Sequence, residues 1–85
     1  MTNELTIQGR INQNINIISG TEGPNADFVI NTSGMSFQVV CASQIAYGFS
    51  KEDNVIITGK LAEVGGDCYI AAESIALDVQ MEFKF

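Results

Sequence analysis

The sequence predicts an all-β fold in which five strands and one short helix share a small core. Three observations carry that reading. Apolar and polar residues alternate with period two in five stretches, and short turn signals, Thr32-Ser33-Gly34 and Gly65-Gly66, separate two pairs of them. The one stretch with helical spacing, Ser43 to Phe49, falls between the third and fourth strands. At 85 residues and 46% hydrophobic, with eight Gly and one Pro, the chain is too apolar for disorder and long enough for one globular domain over residues 1–85.

The first strand runs from Leu5 to Ile11, with Leu5, Ile7, Gly9 and Ile11 on one parity and Thr6, Gln8 and Arg10 on the other. Asn12-Gln13-Asn14 breaks the alternation. Ile15, Ile17 and Ile18 then form either a continuation of that strand after a bulge or an irregular apolar segment, followed by a loop from Ser19 to Asn25. The second strand covers Ala26 to Asn31 with Phe28 and Ile30 inward. The third covers Met35 to Ala42, with Phe37, Val39 and Cys41 on one face and Ser36, Gln38, Val40 and Ala42 on the other. Ser43 is an N-cap residue type, and the stretch it opens suits one or two helical turns. The fourth strand is Asn54 to Leu61, with Val55, Ile57, Gly59 and Leu61 facing in. Gly65-Gly66 permits positive φ at both centres of a hairpin into the fifth strand, Cys68 to about Leu77. Residues 78–85 form a short tail in which Val79, Met81, Phe83 and Phe85 alternate with polar residues, the pattern of an extra strand or an oligomer contact.

Strand, strand, strand, helix, strand, strand is the element order of the OB-fold, a five-stranded Greek-key barrel whose helix closes one end. A five-stranded barrel of SH3 type needs no helix at that point. The first and fourth strands, "ELTIQGRI" and "NVIITGKL", both place a glycine before a base. In a tightly coiled barrel a strand bends sharply where a Cβ would clash, and a glycine at matching register in both strands fits that demand.

The composition also excludes function classes. There is no His, so neither a His-based general base nor a zinc constellation is available. The two cysteines, Cys41 and Cys68, read as reduced small hydrophobes in apolar strands rather than a disulfide. The acidic residues are scattered, and no glycine-rich loop opens a helix in phosphate-binding spacing. A non-enzymatic protein without cofactor or metal is expected. No run reaches the roughly 18 to 20 apolar residues of a membrane helix, and the start lacks the features of a signal peptide, so a cytoplasmic location is the default. The formal net charge of −6, from four Lys and Arg against ten Asp and Glu, argues against tight, sequence-independent polyanion binding by an isolated copy. Any such site is local.

With the motifs "LTIQGRI", "VIITGKL" and "YIAAESIAL" (Tyr69 to Leu77), and the third strand entering a helix through Ile45-Ala46, the chain resembles the bacterial single-stranded DNA-binding protein family and its small primosomal relative, PriB. The resemblance covers nearly the whole chain. It implies an OB barrel, a homodimer or homotetramer, and single-stranded DNA lying across strands two and three. Carried over by register, the binding face holds Val29 and Asn31 on the second strand and Ser36, Gln38, Val40 and Ala42 on the third. The chain departs from the family at Ser36 and Ala42, where stacking aromatics are common, and at Gln38, where a base is common.

Candidate nucleic-acid contacts are therefore Arg10, Asn31, Ser36, Gln38, Lys60 and Tyr69. Arg10 and Lys60, if the first and fourth strands are neighbours, are expected side by side, either contacting phosphate or paired with Glu4, Glu63 or Glu73 in solvent. Tyr69 opens the fifth strand, where its ring either stacks a base or covers the barrel rim. The leading functional expectation is a non-catalytic single-stranded DNA-binding or primosome-like replication accessory protein, acting as a homo-oligomer and meeting replication proteins. The alternative is an OB-fold module for protein contact, using the acidic surface and outer residues such as Val40 and Ile56. RNA binding is a third reading.

Overall fold

A computed structural model describes residues 4–20 and 23–78. The expected tail or extra strand over residues 78–85 lies, but for Asp78, outside the described residues, as does the expected subunit contact of Phe83 and Phe85. The element order is β1 (Glu4–Ile11), β2 (Asn16–Gly20), β3 (Gly23–Thr32), β4 (Met35–Ala42), α1 (Ser43–Ala46), β5 (Asn54–Val64) and β6 (Asp67–Leu77). It is an all-β chain with one short helix among the described residues. Six strands form one sheet in the order β1-β5-β6-β4-β3-β2. The last residues of β1 also pair with β3, Arg10 opposite Asn31 and Ile11 opposite Ile30, so the sheet closes on itself through β1.

Period two is what makes this closure productive. Inward-parity side chains of β1, β3, β4, β5 and β6 point into the ring, and Ile11, Ala26, Phe28, Ile30, Val39, Val55, Ile57 and Ile70 are buried there. Burial of each large side chain contributes roughly 1.5 to 3 kcal/mol, and no polar or charged residue is buried among those described. Alpha helix α1 is a single turn at one end of the ring, placing Ala46 in the core with Ile45 and Phe49 packed against it.

Three expectations about local structure are corrected. Residues 16–20 are a sixth strand: β2 pairs antiparallel with the start of β3 from Asn16 opposite Asp27 to Gly20 opposite Gly23. The expected loop from Ser19 to Asn25 is thus mostly ladder, because backbone pairing holds β2 although its side chains are exposed and its polarity does not alternate. The helix is one turn long, and its N-cap is Ala42 with no side-chain cap bond, so Ser43 lies inside the helix. Leu61 is 52% exposed although it shares the inward parity of Ile57 and Gly59, because the β5–β6 hairpin continues past the core.

Candidate nucleic-acid interface

The outward parity of β3, β4 and β6 assembles one face. Across β3 and β4, Asn31 stands opposite Ser36, Val29 opposite Gln38, and Asp27 opposite Val40. Strand β6 runs parallel to β4 with Val39 beside Ile70 and Val40 beside Ala71; continuing that register sets Tyr69 beside Gln38. Asn31, Ser36, Gln38 and Tyr69 therefore share a continuous surface, Tyr69 half-buried and the other three exposed.

Hydrogen bonds across the ladder order this surface. Ser36 Oγ donates to Asn31 Oδ1 at 2.7 Å, and Gln38 Nε2 donates to Asp27 Oδ1 at 2.9 Å. Because these side chains are already mutually satisfied and exposed, each bond is exchangeable with water or with a ligand group at small net cost. Asp27, one row past Val29 and Gln38 on β3, places a carboxylate on the face, which repels phosphate while its partner amide offers a donor. The acidic neighbour was not singled out by the sequence reading, although its outward parity on the second strand was visible there.

The two bases do not meet. Strands β1 and β5 are adjacent as expected, but they are antiparallel, so Arg10 stands opposite Asn54 and Lys60 stands opposite Glu4. Arg10 is six residue steps along β1 from Glu4, which at about 3.4 Å per residue puts the two bases roughly 20 Å apart along the ladder. Equal position within two strands places residues side by side only when those strands are parallel. Arg10 instead sits beside Asn31 through the β1–β3 seam, and its Nε donates to the Glu52 carbonyl at 3.3 Å. That carbonyl belongs to a turn fastened to β1: Glu52 N–H donates to the Ile11 carbonyl at 2.8 Å, and Ile11 N–H donates to the Asp53 carbonyl at 2.9 Å. Lys60 lies beyond β6, opposite Ala71, with Nζ 3.9 Å from Glu73 Oε1 and both side chains more than half exposed. An ion pair this open contributes about 0 to 1 kcal/mol and leaves the ammonium available. Arg10 and Lys60 thus flank the β3-β4-β6 face from its two neighbouring strands.

Cysteine placement differs between the two. Cys41 is buried as expected, and burial pushes its thiol up from the ordinary value of 9.0. Cys68, read as a strand hydrophobe, is exposed beside the Gly65-Gly66 turn; both cysteines are free. Among the described residues no three His, Cys, Asp or Glu side chains gather as metal ligands, and no helix is long and apolar enough to cross a membrane.

No protein-family model matches the chain. No curated protein matches it either. Solved structures do. The second single-stranded DNA-binding protein of Mycobacterium smegmatis superimposes with a TM-score of 0.80 at 16% identity, over 99% of this chain and 100% of that one. The small single-stranded DNA-binding protein of Streptomyces coelicolor gives 0.77 at 17% identity, over 94% of this chain and 95% of that one. The N-terminal domain of PriB from Thermoanaerobacter tencongensis, solved as a dimer, gives 0.74 at 15% identity over 92% of this chain and 98% of that one. Identities this low with superposition this complete place the likeness in backbone path and strand order, and on that ground the chain has the OB fold of these proteins.

Proposed function

We propose that this chain binds single-stranded DNA without catalysis, as a homo-oligomeric accessory protein of DNA replication, and that its closed sheet is the five-stranded Greek-key barrel of that fold with β2 added at the margin. The observation that carries the reading is the outer β3-β4-β6 face, where Asn31, Ser36, Gln38 and Tyr69 share one surface with Arg10 and Lys60 at its two sides. Amide and hydroxyl groups offer donors and acceptors to base edges and phosphates, Tyr69 offers one stacking surface, and the flanking bases offer charge to the backbone on either side. The superposition on proteins named for single-stranded DNA binding supports the same reading.

Affinity per copy is expected to be low. Stacking contributes roughly 1 to 3 kcal/mol per base, and this face has one aromatic residue among those described, with the Asp27 carboxylate bonded to Gln38. Two faces joined in an oligomer on one strand raise avidity without new contacts. A cytoplasmic setting and replication proteins as partners belong to the same proposal.

Fluorescence anisotropy with labelled oligo-dT at low and high salt tests it. Binding at low salt that weakens as salt rises is expected; no binding at low salt removes the proposal. Asp27 and Glu73 on the face favour the second reading, an OB-fold module for protein contact, which gains if oligo-dT does not bind while replication proteins are still captured. Competition between matched DNA and RNA oligomers separates the RNA reading.

A further inference from the structure

Register sets outward residues of four strands in one row. Asp27 of β3 stands opposite Val40 of β4, Val40 beside Ala71 of β6, and Ala71 opposite Lys60 of β5. Ladder partners share a side of the sheet, so the row carries a carboxylate at one end, an ammonium at the other and two apolar side chains between them. Val40 and Ala71 are half-buried and form a floor, and Tyr69, two residues before Ala71 on β6, flanks it. At about 4.8 Å between neighbouring strands the two charged ends lie roughly 14 Å apart at the backbone, and the lysine stem shortens that span.

The carboxylate is held from one side only. Asp27 Oδ1 accepts from Gln38 Nε2 at 2.9 Å; among the described residues no group donates to Oδ2 and no base pairs with Asp27. A carboxylate has about four acceptor positions, so most of its capacity faces outward. It repels phosphate and the carbonyl groups of a base, and it attracts a base edge that carries N–H groups. Guanine alone among the DNA bases sets two donors side by side on its Watson–Crick edge, N1–H and the N2 amine, which match the two oxygens of a carboxylate. Cytosine and adenine each offer one amine beside an acceptor nitrogen, and thymine offers one N–H between two carbonyls.

We infer that this row is a pocket selective for guanine. A nucleotide of single-stranded DNA lies across it with its phosphate toward Lys60, its base over Val40 and Ala71 beside Tyr69, and its Watson–Crick edge on Asp27. The inference rests on the single-stranded DNA reading and deepens it by naming the base. Stacking accepts every base because every base has a π-face, whereas hydrogen bonds discriminate. Here the one aromatic described on the face stands beside a carboxylate, and Gln38 is a positioning residue that fixes the direction of that carboxylate across the ladder.

Fluorescence anisotropy at low salt tests this with oligo-dT of about 12 nucleotides, within the span of one OB fold, and with the same oligomer carrying a few separated guanines, cytosines or adenines. The guanine oligomer is expected to bind about tenfold more tightly than oligo-dT, the discrimination of one bidentate contact. Two further oligomers locate the edge without altering the protein. Hypoxanthine in place of guanine removes the N2 amine and is expected to lose most of the preference; 7-deazaguanine keeps both donors and is expected to retain it. Asp27→Asn, a change at an outward position, is expected to reduce the preference about fivefold or more while oligo-dT binding is kept. Equal binding of all compositions, a preference that survives Asp27→Asn, or one that hypoxanthine shares overturns the pocket and leaves the DNA reading standing. Failure of every oligomer to bind removes the DNA reading and the pocket with it.

Discussion

Gly59 and Gly9 show how single residues set the curvature of this molecule. A Cβ on Gly59 would overlap the Ala71 carbonyl oxygen and lie 2.8 Å from Ala72 Cα, both fixed backbone. On Gly9 it would lie 2.9 Å from the Asn31 carbonyl oxygen, at the seam where β1 meets β3. The cause is close approach of a neighbouring strand, and alanine at either site forces strands apart. Gly59→Ala is expected to destabilise by about 1 to 3 kcal/mol, and Gly9→Ala by less, as read from urea unfolding. Cys41 supplies a second prediction at this scale. Its folded-state pKa is raised by burial, so the native state resists ionisation that the unfolded chain accepts. Stability is therefore retained below the ordinary thiol value of 9.0 and falls as pH rises through it. A thiol reagent at mildly alkaline pH is expected to modify exposed Cys68 rapidly and Cys41 only as the protein opens, which mass spectrometry of the alkylated peptides checks.

Among the elements, the two tight hairpins illustrate different degrees of fit between turn and sequence. The β5–β6 turn uses Gly65 and Gly66 at φ of 60° and 88°, the left-handed conformation that glycine adopts without a Cβ penalty. The β3–β4 turn makes the same demand of Ser33, at φ of 49°, with Gly34 following at 81°. Asparagine is favoured over serine at that first position, ahead of glycine, in a turn with both central φ positive. Ser33→Asn is thus expected to raise stability by about 0.5 kcal/mol, visible as an upward shift of the unfolding midpoint, whereas Ser33→Val lowers it. Neither change touches the β3-β4-β6 face beyond the turn itself.

The sparse positive charge of the whole molecule limits how it can hold a polyanion. With Arg10 and Lys60 the two bases flanking the candidate face, at most two phosphates per copy are neutralised there. For single strands each contributes a slope of about −0.7 in log affinity against log salt, so a slope near −1.4 per copy is expected. Arg10→Gln and Lys60→Gln are each expected to reduce it by about 0.7. A slope unchanged by both variants places the phosphate contacts elsewhere.

Much of the fold was legible because alternation and glycine act locally. Inward parity of Phe28, Ile30, Val39, Val55 and Ile57 follows from period two, and all five are buried. The repeated glycine foretold close strand approach at both Gly9 and Gly59. Strand β2 was legible only as one of two readings of Ile15 to Ile18, a strand continued past a bulge or an irregular apolar segment, since an exposed strand held by backbone pairing leaves no polarity pattern in its side chains. The separation of Arg10 from Lys60 was also hidden: strand direction belongs to the pairing, and "QGR" and "TGK" read alike whether their strands run together or oppositely. Sequence by itself determined which residues turn inward, where the chain turns and where it must bend, because those are contests within a few residues of backbone. Only the tertiary structure decided which outward residues meet, that Tyr69 stands beside Gln38 with the two bases apart on either side, and that β2 is a strand laddered to β3. Those relations arise between strands distant in the chain, where register and direction are set by closing the ring around its core.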